Sequence, residues 1–327
     1  MAWKPVSAMN QSRRALASAA NANYVYAIGG ISDKDKAIAS VEFARVLATG
    51  ELSAWRYTVP LPQARIYAAA TVLNQYLYVL GGGIGETGSA NQPTAVVIRA
   101  KILKDGSLGP WTETTAMTSA RRGLKVVTFN KRIYAIGGYD GRFLKSTELA
   151  TLAQHNRLSP WKESPQKTNL DRYIHAVAQN KDTLYVIGGH RQQNKGMSAG
   201  DVESTQIQQD GDLKSWFNEK SRLNKPRFIA AAFSHRHFLY ILGGHNGGKR
   251  LKSIEFAPIY ADGHLGQFEY TTPLAIERSA STVTRVNNYI YVLGGMSNRG
   301  SLNNVEMCQV RKNGHLAHIK TVSSNKQ

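Results

Sequence analysis

The sequence predicts an all-β protein, a six-bladed β-propeller with four antiparallel strands per blade, its ring closed by the N-terminal strand joining the last blade. Three observations carry this. A Gly-Gly pair recurs six times at nearly constant period, an Arg precedes every pair by the same distance, and a strand-like segment with its own Trp stands ahead of the first Arg, belonging to no blade that follows it. Repetition at about 50 residues is propeller-blade length.

The Gly pairs begin at Gly29, Gly81, Gly137, Gly188, Gly243 and Gly294, at intervals of 51 to 56 residues. Each first Gly lies sixteen positions after Arg13, Arg65, Arg121, Arg172, Arg227 or Arg278, and three after Tyr26, Tyr78, Tyr134, Tyr185, Tyr240 or Tyr291. Between Arg and Gly-Gly lie two short apolar runs, such as Tyr67 to Leu73 and Tyr76 to Leu80, separated by turn formers such as Asn74-Gln75 or Asn287-Asn288. That pattern reads as a hairpin. The first run is rich in small residues (Ala17 to Ala20, Ala68 to Ala70, Ala230 to Ala232), as expected of strands crowded around an axis. At Gly-Gly, missing side chains permit close backbone approach or positive φ.

The third strand is expected around Glu42, Glu148, Glu203, Glu255 and Glu306, with Ile98 at that position in the second repeat. Eight residues later comes a turn at Gly50, Gly106, Asn156, Gly211, Gly263 or Gly314, and five beyond that an aromatic residue: Trp55, Trp111, Trp161, Trp216 or Phe268, with Ile319 in the sixth repeat. Gly-Gly followed by Glu, Trp and Arg at fixed offsets resembles the kelch family of propellers over nearly the whole chain. A large indole suits the gap between neighbouring blades.

Closure follows from the ends. Trp3 precedes Arg13 by ten residues, the offset of Trp55 from Arg65, so residues 2 to 9 are expected to form a fourth strand for the last blade, whose own end near Ile319 to Val322 lacks the aromatic. An outer strand left unpaired would be an aggregation hazard. Residues 1–322 are therefore expected to form a single propeller without linkers, and 323–327 a frayed tail.

Among 327 residues there are 41 Lys and Arg against 22 Asp and Glu, a formal charge of +19. The repeated Arg and Glu belong to the scaffold, so nearly all the surplus lies on variable positions, where it favours an acidic partner or a general basic coat. No helix-turn-helix, zinc-finger or RNA-recognition signature occurs, and sequence-specific nucleic-acid binding is not expected. The single Cys308 excludes an intramolecular disulfide and is expected to be a buried, small apolar side chain. No apolar run is long enough to span a bilayer. A cytoplasmic monomer is expected, or a secreted or periplasmic protein if an upstream signal has been removed.

Variation in length points to a ligand face. Second Gly to Glu position takes 12, 16, 10, 14, 11 and 11 residues, whereas Arg to Gly-Gly, Glu to turn and turn to aromatic are constant and the aromatic precedes the next Arg by ten or eleven. In a meander this second-to-third-strand loop emerges beside the connection entering the next Arg, and insertions in repeat proteins collect on one face. The residues expected to line it are Tyr139, Arg142, Phe143, His190, Arg191, His245, Asn246, Arg250 and Arg299 after Gly-Gly, with Arg14, Tyr67, Arg122 and Tyr173 just after the repeated Arg. The loop after His190 adds Gln192, Gln193, Asn194 and Lys195. In kelch adaptor proteins these motif positions bind partner peptides, so the resemblance implies a binding module. Arg suits carboxylate, sulfate or phosphate, and Tyr and Phe offer stacking surfaces. An acidic protein segment or an anionic glycan is the expected partner.

Catalytic grammar is sparse. No nucleophile elbow, phosphate-binding Gly loop or zinc-protease motif occurs. His235 and His237 fall on a first hairpin turn, away from the loop face that holds His190 and His245, so no metal is expected, nor any cofactor. The enzymatic alternative, also drawn from resemblance, is a metal-independent epimerase or mutarotase like the kelch-type sialic acid epimerases, with an acid/base pair in a central pocket.

Overall fold

The computed structural model describes residues 3–191 and 198–317. Six antiparallel sheets stand around one axis, and among the described residues there is no α-helix, only 3-10 turns at Gly88–Ala90 and Gln154–Asn156. The first blade runs Ala17–Ala20, Tyr24–Ile28, Val41–Arg45 and Arg56–Thr58 from axis to rim, and the next four repeat this order. The inner strands are Ala17–Ala20, Ala69–Leu73, Lys125–Phe129, Ala176–Asn180, Ala231–His235 and Thr282–Val286, each packed against its neighbours round the ring. Outer strands are shorter than the sequence pattern suggests, two or three residues in blades one to five.

The last blade closes as expected and with residues from both chain ends. Its third strand, Val305–Val310, pairs with Lys4–Val6 through Lys4 and Met307, Pro5 and Glu306, and Val6 and Val305. The same edge pairs Gln309 and Val310 with Ala317 and Leu316. Trp3 supplies the indole that this repeat otherwise lacks: it is buried and donates from Nε1 to the Thr272 carbonyl of blade five at 3.3 Å. Trp55 and Trp161 donate likewise across their seams, to Ser7 and Thr115 carbonyls at 2.9 Å. The expected Ile319 to Val322 ending and the tail lie outside the described residues.

The hydrophobic core is distributed over the seams between blades. Tyr26, Ile28, Val41 and Phe43 of blade one pack on Leu77, Val79, Ile98 and Ala100 of blade two, and equivalent clusters fill the other five seams. Cys308 is fully buried in the cluster between blades five and six. Each repeated Tyr spans its seam: Tyr26 donates to the Gly106 carbonyl at 2.8 Å, Tyr134 to Gly211 at 2.8 Å, and Tyr291 of the last blade to Gly50 of the first at 2.5 Å. Tyr78, Tyr185 and Tyr240 do the same to Asn156, Gly263 and Gly314. This explains the turn residue: Gly50 has φ +82°, and a Cβ there would collide with the Tyr289 ring of the neighbouring blade.

Each repeated Arg is buried and binds two carbonyls of its own blade. Arg121 Nη1 donates to Gly137 and Ser146 at 2.9 and 3.0 Å, and Nε and Nη2 reach Glu148 Oε1 at 3.0 and 2.7 Å. Glu148 also accepts the backbone N–H groups of Thr118 and Ser119, at 2.6 and 3.1 Å, in the connection arriving from blade two. Arg13–Glu42, Arg172–Glu203, Arg227–Glu255 and Arg278–Glu306 repeat the pair. Arg65 keeps the carbonyls of Gly81 and Val96 but faces Ile98 in place of a carboxylate, and burial lowers its pKa to about 10, opposed by Glu113.

Two outcomes follow. Removing residues 1–10 takes away the closing strand, Trp3 and the Asn10 amide that binds Glu42, so the thermal midpoint should fall sharply; native-like melting would contradict this closure. At Glu148, burial alone would raise the carboxyl pKa, but Arg121 and the Thr118 hydrogen bond outweigh it and the folded pKa lies below the ordinary value. The stability it contributes is therefore complete above about pH 4.3, the unfolded value, and is lost as pH falls through the lower folded pKa. In urea unfolding near neutral pH, Glu148→Gln should cost about 3–5 kcal/mol, as expected when a buried pair loses one partner. That gap to the parent protein should narrow below about pH 4.

Candidate functional site

Short bridges show that both loop sets share one face. Arg14 pairs with Ile31, Arg122 with Tyr139, Tyr173 with His190, Phe228 with His245, and Ser279 with Met296, so residues just past each repeated Arg lie against those just past Gly-Gly. Ala15, Tyr67, Gly123, Ile174, Ile229 and Ala280, two places after each Arg, all have positive φ. Their backbones form a ring across the axis: Ala15 donates to Ala280, Tyr67 to Ala15, Gly123 to Tyr67, Ile229 to Ile174 and Ala280 to Ile229, at 2.8 to 2.9 Å. The link from Ile174 to Gly123 is open.

Of the sequence-expected residues, the rings of Tyr139, Phe143, Tyr173, His190 and His245 gather at two adjacent seams, whereas Arg14 lies against Ser301 of blade six and Arg250 against Asn298. Between blades three and four, Tyr139, Phe143 and Tyr173 pack mutually with ring centroids 5.3 to 6.1 Å apart. The Arg122 guanidinium stands 4.9 Å from the Tyr139 centroid and 6.0 Å from that of Tyr173, anchored at 2.9 Å to the Asn91 carbonyl. Burial pushes the Tyr173 phenol up to about 12, and raises that of Tyr67 against the pull of Arg14 and Arg122. Phe143 also lines an open groove of about 670 Å³ with Arg142, Lys145, Lys167, Asp140 and Asp171, so the aromatic cluster continues into a surface of mixed charge.

At the next seam His190 and His245 flank Phe228, with centroids 3.7 and 5.2 Å away. Burial lowers both imidazole pKa values, and His190 is lowered further by His245, His245 by Arg250. Both rings are therefore neutral near pH 7. Asn246 serves its own turn, its Oδ1 accepting the Lys249 and Gly248 amides at 2.8 and 3.1 Å.

The cations are unequal. Arg14 pairs with Asp35, and Arg191 lies 3.6 Å from Asp201, which also receives Arg222 at 2.7 Å. Arg250 bonds Asn298 at 3.3 Å, while the side chains of Arg142 and Arg299 are exposed. Gln192, Gln193, Asn194 and Lys195 lie outside the described residues. Sequence reasoning missed the countercharges Asp35 and Asp201, which only the folded loops bring within reach. Among the described residues no three His, Cys, Asp or Glu side chains converge on a metal-sized site, and no helix is long and apolar enough to cross a membrane.

A six-bladed ring of four-stranded sheets with unequal loops on one face defines a repeat propeller whose individuality sits on its rim. The kelch motif model matches residues 120–149 and 277–307, which run from just before the repeated Arg to the Glu-bearing strand in blades three and six. Alpha-scruin of Limulus polyphemus is 24% identical over 251 residues, covering 74% of this chain and 26% of its own length. Kelch-like protein 36 of Bos taurus is 26% identical over 201 residues, covering 60% of this chain and 30% of the relative, and kelch-like protein 26 of Danio rerio 25% identical over 250, covering 73% and 37%. The chain thus spans about a quarter to a third of the length of these relatives. Among solved structures, that of YjhT superposes with a TM-score of 0.74 over 95% of this chain and 98% of that one at 16% identity, a likeness of fold. The chain is thus a six-bladed β-propeller that carries kelch motifs in blades three and six and is similar to kelch-repeat proteins.

Proposed function

We propose that this propeller is a non-catalytic binding module that holds an acidic protein segment or an anionic glycan on its loop face. The observation that carries the reading is the Arg122–Tyr139–Tyr173–Phe143 cluster running into the groove with Arg142. Rigid aromatic faces beside Arg give large contact area at little entropic cost, and Arg adds bidentate hydrogen bonding to carboxylate or sulfate. Kelch-like relatives are consistent with protein interaction.

The central-pocket alternative, a sugar-acid epimerase or mutarotase, has less behind it. The axial cavity holds about 190 Å³ and is lined mainly by Ala, Val, Ser and Thr, and among its described lining residues Lys125 is the one titratable side chain. An acid/base pair needs two such groups within reach of one substrate.

Titration calorimetry with acidic peptides and with sialyl and uronyl glycans separates these readings. Tyr173→Ala and Arg142→Ala should each weaken binding by about 1–2 kcal/mol, the size of an interface anchor. Binding should also fall with salt. Unchanged affinity in both variants would remove this face, and turnover of a free sugar acid seen by NMR would favour the enzyme.

A further inference from the structure

Six inner strands wall the axis, and not one of them carries an Asp or Glu: their sequences are ASAA, AATVL, KVVTF, AVAQN, AAFSH and TVTRV. Charge on this wall is cationic throughout. Lys125 opens the third inner strand and lines the 190 Å³ axial cavity, where five other blades present Ala, Val, Ser, Thr and Leu. No ion-pair or hydrogen-bond partner reaches its ammonium among the described residues. An ammonium held inside a protein without a partner is costly, and is ordinarily paired, hydrogen-bonded or neutralised.

The cavity supplies the rest of a site. Ser281 is 8% exposed, lines the same space, and its Oγ has no hydrogen-bond partner. Ser18 and Thr282 stand on the same wall, hydroxyl to hydroxyl at 2.6 Å, with hydrogens free to reorient. On the loop face the backbone ring of Ala15, Tyr67, Gly123, Ile174, Ile229 and Ala280 narrows the axis, leaving about 20 Å³ under it. Groups facing Lys125 from the elements packed around it are His175, whose own pKa is pushed down to about 3 by burial, Lys125 and Arg172, and the Tyr67 phenol. None of these offers a negative charge near neutral pH.

We propose that the axial cavity is a binding site for a small monovalent anion of chloride or formate size, with the Lys125 ammonium as its countercharge and the Ser281 hydroxyl as a donor. Hydroxyl and ammonium groups without acceptors match an ion that is acceptor only. The narrowed loop-face end and the small volume exclude the peptide or glycan assigned to the rim, so the two sites are independent.

Thermal unfolding is followed at constant ionic strength while chloride, bromide or formate replaces gluconate, with sulfate and citrate as size controls. A ligand that binds only the folded state raises the midpoint saturably. The three small anions should do so and the large ones should not. Lys125→Met should weaken the apparent chloride affinity at least about tenfold, the effect of removing the charged partner of a hydrogen bond, whereas Arg142→Ala on the rim should leave it unchanged. Crystals soaked in bromide should show an anomalous peak on the axis. If Lys125→Met does not fold, Ser281→Ala and the bromide experiment carry the test. A parent protein indifferent to small anions, a chloride response that survives Lys125→Met, or bromide confined to the outer surface would each overturn the site and leave a neutral lysine as the way its burial is met.

Discussion

The buried guanidinium of each repeat is the constraint on which the rest of the ring depends. Its Nη1 takes the carbonyl of the first Gly and, in the same grip, that of the residue two places before the Glu position: Gly29 and Ser40 for Arg13, Gly188 and Asp201 for Arg172, Gly243 and Ser253 for Arg227. The carboxylate then reaches back to the connection entering the blade, as Glu203 does to Asn169 and Leu170. Three chain segments are thereby fixed to one side chain. An ion pair this deeply buried adds little net stability over an apolar core, but leaving either partner alone is expensive, so the motif specifies geometry.

From this grip follows where length is free. Arg to Gly-Gly is clamped at both ends, and Glu to the next turn runs along a paired strand whose turn carbonyl receives a Tyr hydroxyl from the neighbouring blade. Only the stretch between the second Gly and the residue before the third strand lies outside every clamp, and that stretch varies. In blade two it is long enough to form its own ribbon, Gly83–Ile84 with Gln92–Pro93, without disturbing the sheet beneath. Rim diversity is a consequence of where the hydrogen bonds are not.

The same logic explains what was legible in the sequence. Arg13, Tyr26, Gly29 and Glu42 recur at fixed offsets because each bonds a partner at a fixed place, so blades, hairpins, ring closure and the face that carries the variable loops could be read in advance. Trp3 could be read as the missing sixth indole because its spacing to Arg13 repeats that of Trp55 to Arg65. The mutual packing of Tyr139, Phe143 and Tyr173 was not readable, since it depends on the twist between two blades. Neither was Lys125, which in one strand looks like any alternating polar residue and becomes axial only when five other strands surround it. Asp35 and Asp201 neutralise Arg14 and Arg191 through loop conformations that no repeat encodes.

One seam departs from the pattern, and it is the seam that carries the aromatic cluster. At the others the second Gly amide donates to the carbonyl of the next blade's Arg, as Gly30 does to Arg65 and Gly189 to Arg227, at 2.8 and 2.9 Å. Between blades three and four that bond is absent, along with the axial link from Ile174 to Gly123. The His175 ring is lodged there instead: a Cβ on Gly137 would meet His175 Cε1 at 2.6 Å, where a Cβ on Gly29 would meet the Arg65 carbonyl. Two backbone hydrogen bonds are thus exchanged for side-chain packing by His175 below and by Tyr139, Tyr173 and Arg122 above. Aromatic contacts tolerate displacement far better than an amide–carbonyl bond, which weakens steeply with misalignment. At its loop-face end this seam is therefore held by side-chain packing, while the Tyr134 hydroxyl on the Gly211 carbonyl still ties the two blades further out.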